Sequence, residues 1–266
     1  MAQAKTTWGI GDYPLMALRL EPVASSAVLT GAVGPGVRVL DLATGTGNAA
    51  LVAAQIGAVV TAVDIEPVLI ELAEQRALSA GVDIQWLLGD VEHLPVPDAN
   101  ADVVLSIFGV MYAADHASAA RELARVTAPG GRVVLASWQP GSFIPAMGQV
   151  LGDFLPPPPP STGPPSRWGD TEALRNILQE TDLQLVHTIT GHVTLTFADA
   201  TAGALFLITT AGHVLSERDR LMLLGKWEDL QDSLANLVNE RGDPCDDGID
   251  VRLGYLMATA VKPPSS

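Results

Sequence analysis

Between Val37 and Trp138, apolar β-branched runs alternate with helical patterns, and this alternation limits the folds open to the chain. Residues 37–42 read as a strand, 49–55 as a helix, 59–64 as a second strand and 67–80 as a long helix. Pro67 suits a first helical turn, where its missing N–H costs nothing, and Gly81 suits the left-handed stop at the other end. Residues 83–88 and 101–107 read as strands three and four, 117–127 as a helix stopped by Pro129-Gly130-Gly131, and 132–138 as strand five. Strands that alternate with helices pair in parallel, with helices covering both faces of the sheet.

The second half is less regular. Pro156–Pro160 is a five-proline run, which reads as an extended, stiff connector. Residues 171–180 look helical, with Asp170 or Thr171 as cap. Residues 182–190 and 251–261 read as two more strands that add an antiparallel edge to the sheet. Residues 199–240 read as helical, broken near Gly212. The expected fold is α/β: a doubly wound, mostly parallel seven-stranded sheet in one domain over residues 1–266. An N-terminal helical segment at about 8–30 and a helical cap inserted at about 197–245 complete it. In the cap, Leu205, Phe206, Ile208, Leu221, Leu223, Leu224, Trp227 and Leu230 need burial against a pocket or a second subunit, which leaves a homo-oligomer open.

The segment Val39-Leu40-Asp41-Leu42-Ala43-Thr44-Gly45-Thr46-Gly47-Asn48 carries the first chemistry. A buried strand ends in an acid and a glycine turn, and a helix follows. Gly45 and Gly47 let a ligand approach the backbone, and the helix start offers N–H groups to a carboxylate. Gly45-x-Gly47-x-x-Ala50 also fits a dinucleotide fingerprint. Asp64, 23 positions after Asp41, is placed to accept both ribose hydroxyls of a nucleoside. Either a nicotinamide dinucleotide or S-adenosylmethionine (SAM) satisfies these two elements. Asp90, after strand three, is placed to accept from an adenine amino group, and this favours SAM.

Asp41-x-x-x-Gly45-x-Gly47, Asp64, Gly89-Asp90, Asp102-x-Val104 and Pro129-Gly130-Gly131 stand in the order and spacing of class I SAM-dependent methyltransferases. The chain resembles the ubiquinone/menaquinone-biosynthesis type. More narrowly, it is similar to a set of actinobacterial small-molecule methyltransferases. Shared with that set are Trp8-x-x-Gly11-Asp12-Tyr13, Phe108-Gly109-Val110-Met111-Tyr112-Ala113, the proline run and Trp168-Gly169. The resemblance implies a Rossmann-like methyltransferase fold in which Ala43, Gly45 and Gly47 line the methionine moiety and Asp41 orients its amino end. It further implies that Asp64 holds the ribose, Ile65 lies against the adenine, and Asp90 and the Val91 backbone meet the adenine edge. Ser106 is expected near the amino-acid end of SAM.

The expected reaction is methyl transfer to a small organic acceptor, through O, N or C, on a metabolite or natural product. Phe108, Tyr112 and Trp138 follow strands four and five and read as acceptor-pocket walls, with Trp8 and Tyr13 covering the same opening. As ordinary core aromatics they would need no such role. His116 and His213 are weak candidates for an assisting base, His116 reading more simply as a solvent-facing residue at a helix start. Two rivals are a NAD-dependent oxidoreductase and a SAM-binding protein that catalyses a non-methylating reaction. The first lacks a Tyr-x-x-x-Lys set, since His116 stands four positions after Tyr112. A pure interaction protein is a third.

Composition narrows the partners. Of 266 residues, 48% are hydrophobic and 17% charged, enough apolar material for a large core. One cysteine, Cys245, allows no intrachain disulfide, and no histidine has metal-ligand spacing, so no metal is expected. A net charge of −15 repels a phosphate backbone, so no nucleic acid partner is expected. Met1–Thr7 has no apolar leader core, and no apolar run reaches the roughly 18 residues of a membrane span. No membrane partner and a cytoplasmic location are therefore expected.

Overall fold

The computed structural model describes residues 7–157 and 160–265. Pro158 and Pro159, part of the expected connector, and residues 1–6 of the leader reading lie outside the described residues.

In chain order the elements are α1 (Tyr13–Thr30), β1 (Arg38–Leu42), α2 (Asn48–Gln55), β2 (Val59–Asp64), α3 (Pro67–Ala80), β3 (Gln85–Leu88) and β4 (Ala101–Ile107). A short 3-10 turn (Val110–Tyr112), α4 (His116–Val126), β5 (Thr127–Trp138) and α5 (Phe143–Gly152) follow. After a second 3-10 turn (Pro165–Gly169) come α6 (Thr171–Leu178), β6 (Gln184–Phe197), α7 (Ala200–Thr210), α8 (Gly212–Leu215) and α9 (Arg218–Leu223). The chain ends with α10 (Trp227–Arg241), β7 (Asp243–Cys245) and β8 (Gly248–Val261).

The sheet order is β3-β2-β1-β4-β5-β8-β6, with β7 paired to β8, so eight strands take part where seven were expected. β7 escapes the sequence pattern because it is three residues long and contains Pro244. The pairs β1–β2, β1–β4, β2–β3 and β4–β5 are parallel, and β5–β8 is antiparallel. The central strands read as near-continuous apolar runs because both faces are covered: Leu40, Leu42, Val104 and Leu105 are fully buried. Strand order reverses between β1 and β4. In open α/β sheets, ligands bind beyond the strand ends at such a switch point.

Local signals explain the element ends. Gly81 closes α3 in the left-handed region, at φ 67°, with its N–H directed to the Ala77 and Leu78 carbonyls. The Asp115 carboxylate caps α4 by accepting from the Ala117 and Ser118 N–H groups. Pro129-Gly130-Gly131 lies inside β5 and does not end the preceding helix, which gives way directly to strand at Thr127. It forms an irregularity in the ladder: Ala101 pairs with Thr127, but Val103 pairs with Arg132.

The chain separates into two compact units. The sheet unit comprises Leu20–Pro140, Pro160–Gly191 and Tyr255–Ser266; the helical unit comprises Met1–Arg19, Gly141–Pro159 and His192–Gly254. The helical unit is thus wider than the expected insertion at 197–245. It contains α5, which its Pro145 and glycines hide from a sequence reading and which packs on α10. Within this unit Ile208, Leu221 and Leu230 are buried, whereas Leu205, Leu223 and Leu224 are exposed on the single chain. No helix among the described residues is long and apolar enough to cross a membrane.

Candidate functional site

The switch point is built from the sheet unit. After β1, Ala43, Gly45 and Gly47 take φ values of 51°, 58° and 82°, three left-handed residues in five, and the chain reverses into α2. Gly47 also answers a packing demand. A Cβ there would lie 2.9 Å from the Trp86 ring and 3.2 Å from the Ala73 Cβ. The Asp41 carboxylate accepts from the Thr44 hydroxyl at 2.6 Å and from the Ala50 N–H at 3.0 Å. It therefore ties strand end, turn and first helical turn together. Asp41 is buried, which pushes its pKa up to about 7 against those two hydrogen bonds. Both bonds fall on one carboxylate oxygen, Oδ2.

Asp64 ends β2 beside this turn. One oxygen accepts from the Gly45 N–H at 2.7 Å and the other from the Glu66 N–H at 2.9 Å. Burial raises its pKa, opposed by the Glu66 and Gly45 N–H groups. A carboxylate has about four acceptor positions, so these bonds leave capacity for hydroxyl donors. Ile65 follows, half-buried.

Asp90 is exposed beyond β3, and one oxygen accepts from the Glu92 N–H at 2.9 Å. Val91 is half-buried beside it. The segment after Asp90 is stapled to α4 by residues that sequence reasoning missed. Glu92 accepts from the Ala114 and Asp115 N–H groups, and Glu122 accepts from the Leu94 N–H at 2.6 Å. Arg125 reaches the Leu94 and Val96 carbonyls, Asp98 and Glu122. The Glu122-x-x-Arg125 spacing was the available signal.

β4 approaches β1 closely at its end. Ser106 is fully buried; its hydroxyl donates to the Leu42 carbonyl at 2.8 Å and accepts from the Val110 N–H at 3.0 Å. It clips the two strand ends together beside the glycine turn. Phe108 has φ 59°, and a Cβ on Gly109 would lie 2.4 Å from that of Ala43. Ala43 and Phe108 are non-glycine residues held in the left-handed region, and such strain concentrates at ligand sites.

The aromatic residues divide. Phe108 and Trp138 stack at 3.7 Å and are buried, as the core-aromatic alternative has it. Tyr112 is 41% exposed. Burial of its hydroxyl end pushes its pKa up to about 12, against a hydrogen bond from Trp138. Tyr255, missed from sequence, meets Phe108 edge-on at 5.8 Å. Its register opposite Trp138 in β8 brings it there. Trp8 and Tyr13 belong to the helical unit, where they meet edge-on at 6.3 Å. Glycines let that segment lie against its neighbours, since a Cβ on Gly212 would strike the Thr7 and Ile10 carbonyls.

His116 corrects the sequence reading. Its ring is buried against Trp168 at 5.7 Å, and both ring nitrogens lack a hydrogen-bond partner. Burial, and secondarily Arg167, lowers its pKa. The element responsible is the 3-10 turn carrying Trp168, which covers the start of α4. His213 is exposed in α8. Among the described residues no three His, Cys, Asp or Glu side chains gather as a metal-ligand group.

Residues 40–135 match the methyltransferase domain family. That match spans 96 of the 266 residues, from β1 into β5, so over this stretch the chain is similar to methyltransferase domains. An uncharacterised protein of Mycobacterium tuberculosis is 38% identical over 169 residues, 63% of this chain and 62% of that protein. A demethylmenaquinone methyltransferase of Thermus thermophilus is 41% identical over 105 residues, 39% of this chain and 48% of that enzyme. The chain thus covers less than two thirds of the length of these curated relatives. In fold, the domain is similar to the YcgJ protein of Bacillus subtilis, with TM-score 0.67, 17% identity and coverage of 91% of this chain and 98% of that one. SAM is the cofactor of this domain class. The donor set of the methyltransferase domain suits that molecule: a left-handed turn with little side-chain bulk and one carboxylate at the end of each of β2 and β3.

Proposed function

We propose that the chain transfers a methyl group from SAM to a small organic acceptor through an O, N or C nucleophile. The observation that carries this reading is the row of the glycine turn, Asp64 and Asp90 at the ends of β1, β2 and β3, beside the switch point. Bound SAM would supply a methyl group already activated by its sulfonium. Asp64 would accept the ribose hydroxyls, with Ile65 against the adenine and Asp90 and the Val91 backbone at its amino edge. Ala43, Gly45 and Gly47 would leave room for the methionine moiety, and Asp41 would hold the turn in shape. In-line displacement then needs alignment and exclusion of water more than acid–base help.

Two side chains support catalysis by alignment. His116 is enclosed by protein, and Tyr112 keeps its proton at neutral pH. The net charge of −15 argues for a small acceptor over a nucleic acid. Separate calorimetric titrations with SAM and NAD test the cofactor, and S-adenosylhomocysteine release across an acceptor panel tests the transfer. Binding of NAD with no binding of SAM would overturn the proposal. Binding of SAM without turnover on any acceptor would favour a non-methylating reaction.

A further inference from the structure

We propose that Arg76, on α3, is a positioning residue that sets the glycine turn for the amino-acid half of the cofactor and couples that turn to α1. The proposal rests on the methyl-transfer reading above. One guanidinium nitrogen lies 2.7 Å from the Thr46 carbonyl, 3.0 Å from the Thr46 hydroxyl and 2.7 Å from the Asn48 side-chain oxygen. The other terminal nitrogen pairs with Glu21 of α1 at 2.7 Å.

The turn needs such a hold. Gly45 and Gly47 flank Thr46, and glycine moves between left- and right-handed backbone with little penalty. The Gly47 N–H donates to the Thr44 carbonyl at 2.9 Å, which holds one edge of the Thr46–Gly47 peptide and leaves its carbonyl edge to another partner. Asp41 holds the turn through Thr44 and Ala50, and Asp64 holds it through the Gly45 N–H. Neither bonds to the Thr46 carbonyl, and Arg76 does. Clamping that carbonyl orients the Thr46–Gly47 peptide and, with Asn48, the entry into α2. The Glu21 pair is half-exposed and by itself contributes little to stability. Its role is geometric, because it aims a planar fork whose two terminal nitrogens serve different elements. A lysine ammonium has no such fork.

The test compares two ligands on the full chain, S-adenosylhomocysteine and adenosine, by calorimetry. Loss of the charged hydrogen bonds in Arg76→Ala should weaken S-adenosylhomocysteine about tenfold and leave adenosine within about twofold. Arg76→Lys should recover part of the loss, and Glu21→Gln should show a smaller loss of the same kind. Arg252→Ala removes an exposed ion pair with Asp243 in the helical unit and should match the parent for both ligands.

Equal weakening of both ligands would show general loosening and overturn the proposal. Unchanged S-adenosylhomocysteine affinity in Arg76→Ala would overturn it too, while leaving the methyl-transfer reading intact. A parent that binds neither ligand would overturn that reading itself. If Arg76→Ala fails to fold, Arg76→Lys and Glu21→Gln carry the test, and parent-like affinity in both would overturn the proposal.

Discussion

Asp41 and Asp64 end up side by side at the tips of β1 and β2, both buried, with different partners. Asp41 accepts from the Thr44 hydroxyl and the Ala50 N–H on one oxygen, whereas Asp64 accepts from two backbone N–H groups, one on each oxygen. Asp64→Asn probes ribose binding by removing the charge at nearly constant shape, while giving up one of the two backbone N–H bonds because an amide keeps a single acceptor oxygen. It should weaken SAM about tenfold or more by calorimetry, since a charged hydrogen bond is worth roughly 1.5–3 kcal/mol. Parent-like affinity would exclude Asp64 as the ribose ligand.

Asp41 makes a separate prediction in pH. Its pKa is raised from 3.8 to about 7 in the folded chain, so the fold holds a proton that the unfolded chain releases. The corresponding stability is complete below the ordinary carboxylate range and is lost as pH rises through about 7. Asp64 is raised as well and adds the same sign. The His116 contribution has the opposite sign, because its pKa is lowered from 6.5 and its stability is lost only as pH falls below that value. Thermal midpoints should therefore rise between about pH 8 and pH 6.5, and Asp41→Asn should flatten that rise. A parent midpoint that falls over this window would contradict the buried placement of Asp41.

At the scale of elements, α4 does more than cover the sheet. Its first residue packs on Trp168 and its last turn, through Glu122 and Arg125, holds the segment that carries Asp90. His116 leaves two ring nitrogens buried without partners. Removing an unsatisfied polar group while keeping the shape is close to neutral or stabilising. His116→Phe should thus match or exceed the parent in urea unfolding and keep turnover within about tenfold, whereas loss of a general base costs about 10²–10⁴-fold. A thousandfold loss with folding intact would make His116 the base. Elements also show where periodicity stops informing. The β-α alternation of residues 37–138 was legible because β1, β2, β4 and β5 are mostly buried, and β3, half exposed at the sheet edge, is bounded by Gly81 and Gly89. α5 was not, since its helical state depends on packing against α10 and not on its own residues.

At the scale of the molecule, the hydrogen bonds that shape the glycine turn lie within the sheet unit. Replacing residues 199–240 with those of a relative should therefore leave SAM affinity within about threefold, as expected for sites without shared partners. A large loss of SAM affinity would show that the helical unit takes part in holding the cofactor. Saturation with SAM at a hundred times its Kd should add about 2.7 kcal/mol to the stability of the unit that binds it, and the same concentration of NAD should add nothing.

The order of strands and helices over residues 37–138, the glycine turn and the acids at three strand ends were readable in the sequence alone. Each is a local pattern: a period, a spacing, or a residue type that a tight turn demands. What became of those residues was a matter of tertiary structure. Ser106 turned inward because β4 lies beside β1, and Phe108 and Trp138 became interior rings because β5 lies beside β4. Gly47 proved to be required by Trp86, 39 positions later in the chain. Arg76 reached the turn from a different helix. Contacts between residues far apart in sequence leave no period or spacing to read, so only the packed sheet could show them.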